Sequence, residues 1–205
     1  MKRLFAMLFA ALMLAPAVQA AEAPDALIGR LSTEMIDRIR ADEQLQAGNL
    51  ARMSELVDTV LMPHVNFQRM TALAVGRNWR GASPEQQKQL MTEFRALLLR
   101  TYSGALASAK DQSVRMKPMR ADPADKEVIV RSEVIQPRGG DPIQLDYRLE
   151  KAGDGWKIFD VNVLGVWLVQ TYRSQFAQEV GASGIDGLIR SLAEKNRSAG
   201  AAGTR

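Results

Sequence analysis

The stretch "IQLDYRLEKAGDGWKIFDVNV", Ile143–Val163, decides the fold. In its first half Ile143, Leu145, Tyr147 and Leu149 alternate with Gln144, Asp146, Arg148 and Glu150. That is the period-two pattern of a strand with one dry and one wet face. The "KAGDG" that follows is a hairpin turn, and the chain returns as a strand over Trp156–Val163. There the parity breaks. Trp156 and Ile158 share one face, whereas Phe159, Val161 and Val163 share the other. Either a bulge lies in this strand or it is covered on both faces.

Upstream, Val114–Met119 and Glu127–Gln136 carry the same period, and "PRGGDP" forms a second hairpin turn into Pro142–Glu150. Four strands with short connections make an antiparallel meander, wet on one face and apolar on the other. Before them the period is helical. Leu27, Ile28, Leu31, Met35 and Ile39 recur at helix spacing, and Asn49 caps a second helix through Leu61 that Pro63 stops. Asn66 opens a short helix ending at Gly76. "SPEQ" at Ser83–Gln86 opens a long helix with a capping box. Leu90, Met91, Phe94, Leu97, Leu98, Leu99, Tyr102 and Leu106 give that helix more than one apolar stripe, so it belongs at the centre. After Gly165 the helical period returns with Val166, Val169, Tyr172 and Phe176, and a last helix carries Ile185, Leu188, Ile189 and Leu192. The class is therefore α+β: a four-stranded antiparallel meander with several helices on its apolar face.

Residues 1–20 read as a secretory signal peptide, with Lys2 and Arg3, an apolar run from Leu4 to Leu14 and the small-residue close Val18-Gln19-Ala20. The run is shorter than the ~20 residues that span a bilayer. Cleavage after Ala20 leaves 185 residues, with one domain over 21–197 and a disordered tail over 198–205. Disulfides and thiolate metal sites are excluded, because the chain has no cysteine. An exported, disulfide-free chain with this leader reads as periplasmic. Without Lys2 and Arg3 there are 25 basic against 23 acidic residues, too balanced for a nucleic-acid binder.

Chemistry is sparse. His64 is the one histidine and has no orienting partner nearby in sequence. Asp146 falls on the wet face of its strand and is expected at the surface, whereas the parity break leaves Asp160 unplaced. No hydrolase glycine context surrounds Ser83 or Ser103, and the paired glycines serve turns. What remains is a surplus of apolar positions, which a thick core or a cavity lining would satisfy, composition alone slightly favouring the core. An enzyme using a cone-shaped cavity, and an adaptor with an exposed apolar patch, both stay open on these grounds.

Landmarks along the chain are more specific. Pro63, "VGRNWRGASPEQ", "RTY" at Arg100–Tyr102, "LDYRLEKAGDGWKIFDV", "GVWLVQTYRSQF" and "GIDGLI" occur in an order that resembles the MlaC family. These are periplasmic phospholipid-binding proteins of the Mla lipid-asymmetry system, also called toluene-tolerance auxiliary proteins. Leu164 stands where the family often has Glu, and Trp167 where Ser is common.

The resemblance implies a nuclear-transport-factor-2-like cone extended by helices and enclosing an apolar cavity for acyl chains. It implies no cofactor, no metal and no catalysis. Its implied partners are a phospholipid, an outer-membrane lipoprotein complex and an inner-membrane ABC transporter complex, with the carrier a monomer between them. Within that picture the inward faces assign a lining of Leu73, Val75, Phe94, Leu98, Tyr102, Tyr147, Leu149, Val161, Val163, Val166, Val169 and Tyr172, several of which would be ordinary core. The stretch Arg69–Arg100 is rich in cations. It is either a solvated helix surface or a docking rim that includes Arg69, Arg77, Arg80 and Lys88.

Overall fold

The computed structural model describes residues 22–202 except 121, 123, 138 and 154, so the leader expected over 1–20 lies outside the described residues. Helix starts follow local capping chemistry. Helix α1 (Pro24–Ala41) buries Leu27, Ile28, Leu31, Met35 and Ile39, the stripe read from the sequence. The Asp42 carboxylate caps α2 (Glu43–Gln46), and the Asn49 side chain caps α3 (Leu50–Leu56) by accepting from the Arg52 amide at 3.1 Å. The pattern carries α3 to Leu61. Instead the ladder widens into a π turn over Val57–Leu61 and tightens to a 3-10 turn over Met62–His64. Pro63 explains the change, since it donates no amide hydrogen and its ring crowds the carbonyl one turn back. Asn66 caps α4 (Phe67–Val75), which Gly76 ends at φ 67°. The Ser83–Gln86 capping box is complete at the start of α5 (Pro84–Ala107).

The meander is β1 (Ser113–Met116), β2 (Glu127–Ile135), β3 (Ile143–Ala152), β4 (Gly155–Val163) and β5 (Val166–Trp167), antiparallel and in chain order. The expected four strands are thus five among the described residues. The extra one is two residues long, too short to show a period in sequence. Leu164 and Gly165 both sit at positive φ, 53° and 88°, as a two-residue type I′ hairpin requires, and they turn the chain back along β4 before helix begins. Asn162 closes the turn by accepting from the Gly165 amide at 2.8 Å.

The parity break is a bulge. Arg148 pairs with Asp160 but Leu149 pairs with Ile158, so Phe159 is the additional residue. The bulge returns Val161 and Val163 to the face that Ile158 occupies, opposite Tyr147 and Leu145. The other face carries Asp146, Arg148, Asp160, Asn162 and Trp167. Asp146, expected at the surface, is only 4% exposed: Gln144 folds over it and donates to its carboxylate at 2.6 Å.

Helix α6 (Leu168–Ala202) is broken at Gly184, whose φ of 70° and ψ of −175° no helix accommodates. It continues through residues 198–202, where a disordered tail is expected from composition. Two apolar clusters result. One joins α1, α3 and the sheet face around Val130, Leu149 and Ile158; the other joins α4, α5 and both halves of α6 around Phe94, Phe176, Leu188 and Leu192. Val65 and Val161 touch both.

Two consequences are measurable. Leu164 is 65% exposed yet held in the left-handed region, which costs a branched side chain about 1–2 kcal/mol. Leu164→Asn should therefore raise unfolding stability by roughly 0.5–1 kcal/mol in urea titration, and an unchanged or lower midpoint would refute the strain. Tyr147 has its hydroxyl enclosed between the Ser32 and Ser132 side chains, and burial pushes it up to about 12. Below its ordinary value the phenol is protonated in both states. Above it the unfolded chain ionises first, so roughly 2 kcal/mol of stability drains away as pH rises from about 10 to about 12. Tyr147→Phe should flatten that alkaline decline relative to the wild type when the two are titrated side by side.

Candidate functional site

The break at Gly184 folds the two halves of α6 toward each other. From the first half Leu168, Thr171, Tyr172, Gln175, Phe176 and Glu179 fall on one face at helical spacing; from the second Leu188, Leu192 and Lys195 do the same. With Leu97 and Tyr102 of α5, and Val163 and Val166 of the β4–β5 hairpin, they enclose a cavity of about 450 Å³. That volume lies within the ~300–1,000 Å³ typical of small-ligand sites.

An aromatic cluster backs it, with Tyr172 and Phe176 in the lining. Phe94 packs edge-on against Tyr172 and Phe176, with centroids 4.9 and 5.2 Å away, and Phe67 closes the group at 5.8 Å. Burial raises the phenols of Tyr102 and Tyr172 above the ordinary tyrosine value, so both stay neutral at physiological pH. The charged groups among the lining residues are Glu179 and Lys195, with Nζ 3.8 Å from Oε1.

Of the twelve positions expected to line a cavity, Tyr102, Val163, Val166 and Tyr172 do so. Val166 is 53% exposed and forms the lip. Leu73, Val75, Phe94, Leu98 and Val169 pack in the same cluster behind the wall. Tyr147 and Leu149 belong to the other cluster, and Val161 bridges the two. Sequence reasoning missed Leu97, Leu168, Thr171, Gln175, Phe176, Glu179 and the whole second half of α6. The spacing of Leu188, Leu192 and Lys195, read with Gly184 as a reversal, is the signal that would have found it.

Trp167 packs behind the wall, not in the cavity: the Arg148 guanidinium stacks on its ring, 4.0 Å from the centroid. Arg148 also pairs with Asp160 at 3.1 Å. Among the cations expected on a docking rim, Arg69 is bound to Glu127 and Glu150 and stacks on Phe159, whereas Arg77, Arg80 and Lys88 are exposed. Burial and the nearby Arg30 and Lys157 charges lower the His64 pKa, so its imidazole is neutral at physiological pH. Among the described residues no cluster of three or more His, Asp or Glu could hold a metal ion, and no helix is long and apolar enough to cross a membrane.

Known proteins share this arrangement. A solved phospholipid-binding protein from Ralstonia solanacearum, in complex with a phospholipid, superposes with a TM-score of 0.82 at 41% identity, covering 86% of this chain and 98% of its own. The toluene tolerance protein ttg2D of Pseudomonas putida is 26% identical over 82% of this chain and 77% of its own length. The intermembrane phospholipid transport system binding protein MlaC of Haemophilus influenzae is 22% identical over 82% and 80%. These relatives are named as binding or tolerance proteins and none as an enzyme. The profile of the MlaC protein family matches residues 29–194, and the chain belongs to that family.

Proposed function

We infer that this chain is a periplasmic phospholipid carrier: it holds acyl chains in the cavity between α5, α6 and the β4–β5 hairpin and passes the lipid between outer-membrane and inner-membrane complexes. The observation that carries the reading is the apolar cavity itself, together with a relative at 41% identity solved with a phospholipid.

Energetics supports a carrier more than a sink. Two acyl chains carry about 30 methylenes at ~0.8 kcal/mol each, so about 24 kcal/mol opposes release into water. Against a bilayer the balance is near zero, because the chains leave one hydrocarbon for another. Lipid therefore exchanges when the mouth is pressed against a surface that keeps the tails dry, and no catalytic residue is required.

Native mass spectrometry of protein produced in a Gram-negative host should show one phospholipid per chain. Leu97→Trp, which fills the cavity from a half-buried position, should cut that occupancy several-fold with little change in Tm. Wild-type protein that carries no phospholipid, while remaining folded, would overturn the carrier reading.

A further inference from the structure

We propose that Glu179, Ser191 and Lys195 form a head-group subsite for a zwitterionic phospholipid, with Lys195 on the phosphate and Glu179 on the ammonium. The proposal rests on the carrier reading above and assigns the polarity of its ligand. The lining carries charge at one place, where it brings one anion and one cation together. Amphiphile and lining therefore share one polarity: hydrocarbon against Leu97, Phe176, Leu188 and Leu192, charge against Glu179 and Lys195.

The pair is built to open. Nζ lies 3.8 Å from Oε1, and the side chains are 54% and 37% exposed, so the contact contributes almost nothing to stability and yields readily to a competing ligand. Ser191 donates its hydroxyl to the same Oε1 at 3.2 Å, which fixes the carboxylate plane. Oε2 has no protein partner among the described residues and is free to accept from an ammonium group. Gln175, one turn before Glu179, also lines the cavity.

An anionic head group such as phosphoglycerol would meet attraction at Lys195 and repulsion at Glu179. A phosphoethanolamine head group engages both charges.

The test uses the whole protein incubated with vesicles of equal parts phosphatidylethanolamine and phosphatidylglycerol with matched acyl chains, then recovered and extracted. Wild-type protein should hold phosphatidylethanolamine over phosphatidylglycerol by roughly 3-fold or more, the scale of one half-exposed charge contact. Glu179→Gln should bring the ratio to about 1 by lowering phosphatidylethanolamine uptake, with Tm unchanged, because Gln keeps the shape and the Ser191 contact while losing the charge. Lys195→Gln should lower the uptake of both lipids, since the phosphate is common to them. Equal uptake by wild type, or an unaltered ratio in Glu179→Gln that still binds lipid, would overturn the subsite while leaving the carrier intact. Failure of wild type to take up either lipid would overturn both.

Discussion

The joint that orders this molecule is the carboxylate of Asp160. It is 1% exposed, and a buried charge without partners would be prohibitive. It has three. Oδ1 accepts from the Val161 amide at 2.9 Å and from the Val169 amide at 3.0 Å, and Oδ2 pairs with Arg148. Val169 is the second residue of α6, so a strand residue serves as the cap of the following helix. Burial raises the Asp160 pKa, and the two amides and Arg148 pull it back. Because α6 starts from this point, the phase of its face, from Leu168 to Glu179, is set by where Asp160 stands in β4.

The position of Asp160 depends in turn on the bulge at Phe159. Without the bulge, Phe159 would take a regular place in the alternation, and Asp160 would share a face with Ile158 and point into the apolar side of the sheet. With it, Asp160 and Asn162 turn to the polar face, and Val161 and Val163 stay on the dry one. Phe159 is itself only 4% exposed and is covered by the Arg69 guanidinium, 3.8 Å above its ring. Arg69 is held there by Glu127 on β2 and Glu150 on β3. The cation that composition offers as a docking group is thus occupied in keeping the bulge covered.

What was legible in the sequence was local. Asn49, Asn66 and Ser83 announce helices because the cap bonds reach only two or three residues. Alternation in Ile143–Glu150 announces the sheet because side-chain direction follows the pleat. The parity break was visible too, but its two explanations differ only in three dimensions, and register decided for the bulge. Strand β5 and the cavity wall were illegible for one shared reason. A two-residue strand has no period, and the contact of Glu179 with Lys195 joins positions sixteen apart across a glycine. Apolar periodicity identified which faces are dry. It could not separate Tyr102 and Tyr172, which line the cavity, from Leu149, which fills the opposite core.

Rigid and yielding parts divide along the same boundary. The Asp160 carboxylate is matched at short range by two amides and Arg148, and the start of α6 is fixed by it. Around the cavity the contacts are of another kind: half-buried leucines on α5, a long exposed ion pair, and a lip residue half in solvent. None of these costs much to displace, and together they surround the cavity. A cavity walled by fully buried side chains would resist a second acyl chain by several kcal/mol of overpacking. A rim locked by a short buried ion pair would resist the head group by the energy of breaking it. Under the proposed carrier function, in which the ligand moves between hydrocarbon environments of nearly equal energy, barriers of that size would fall on every transfer. The loose pairing at Glu179 and Lys195 is therefore consistent with function in a way that a tighter pair would not be.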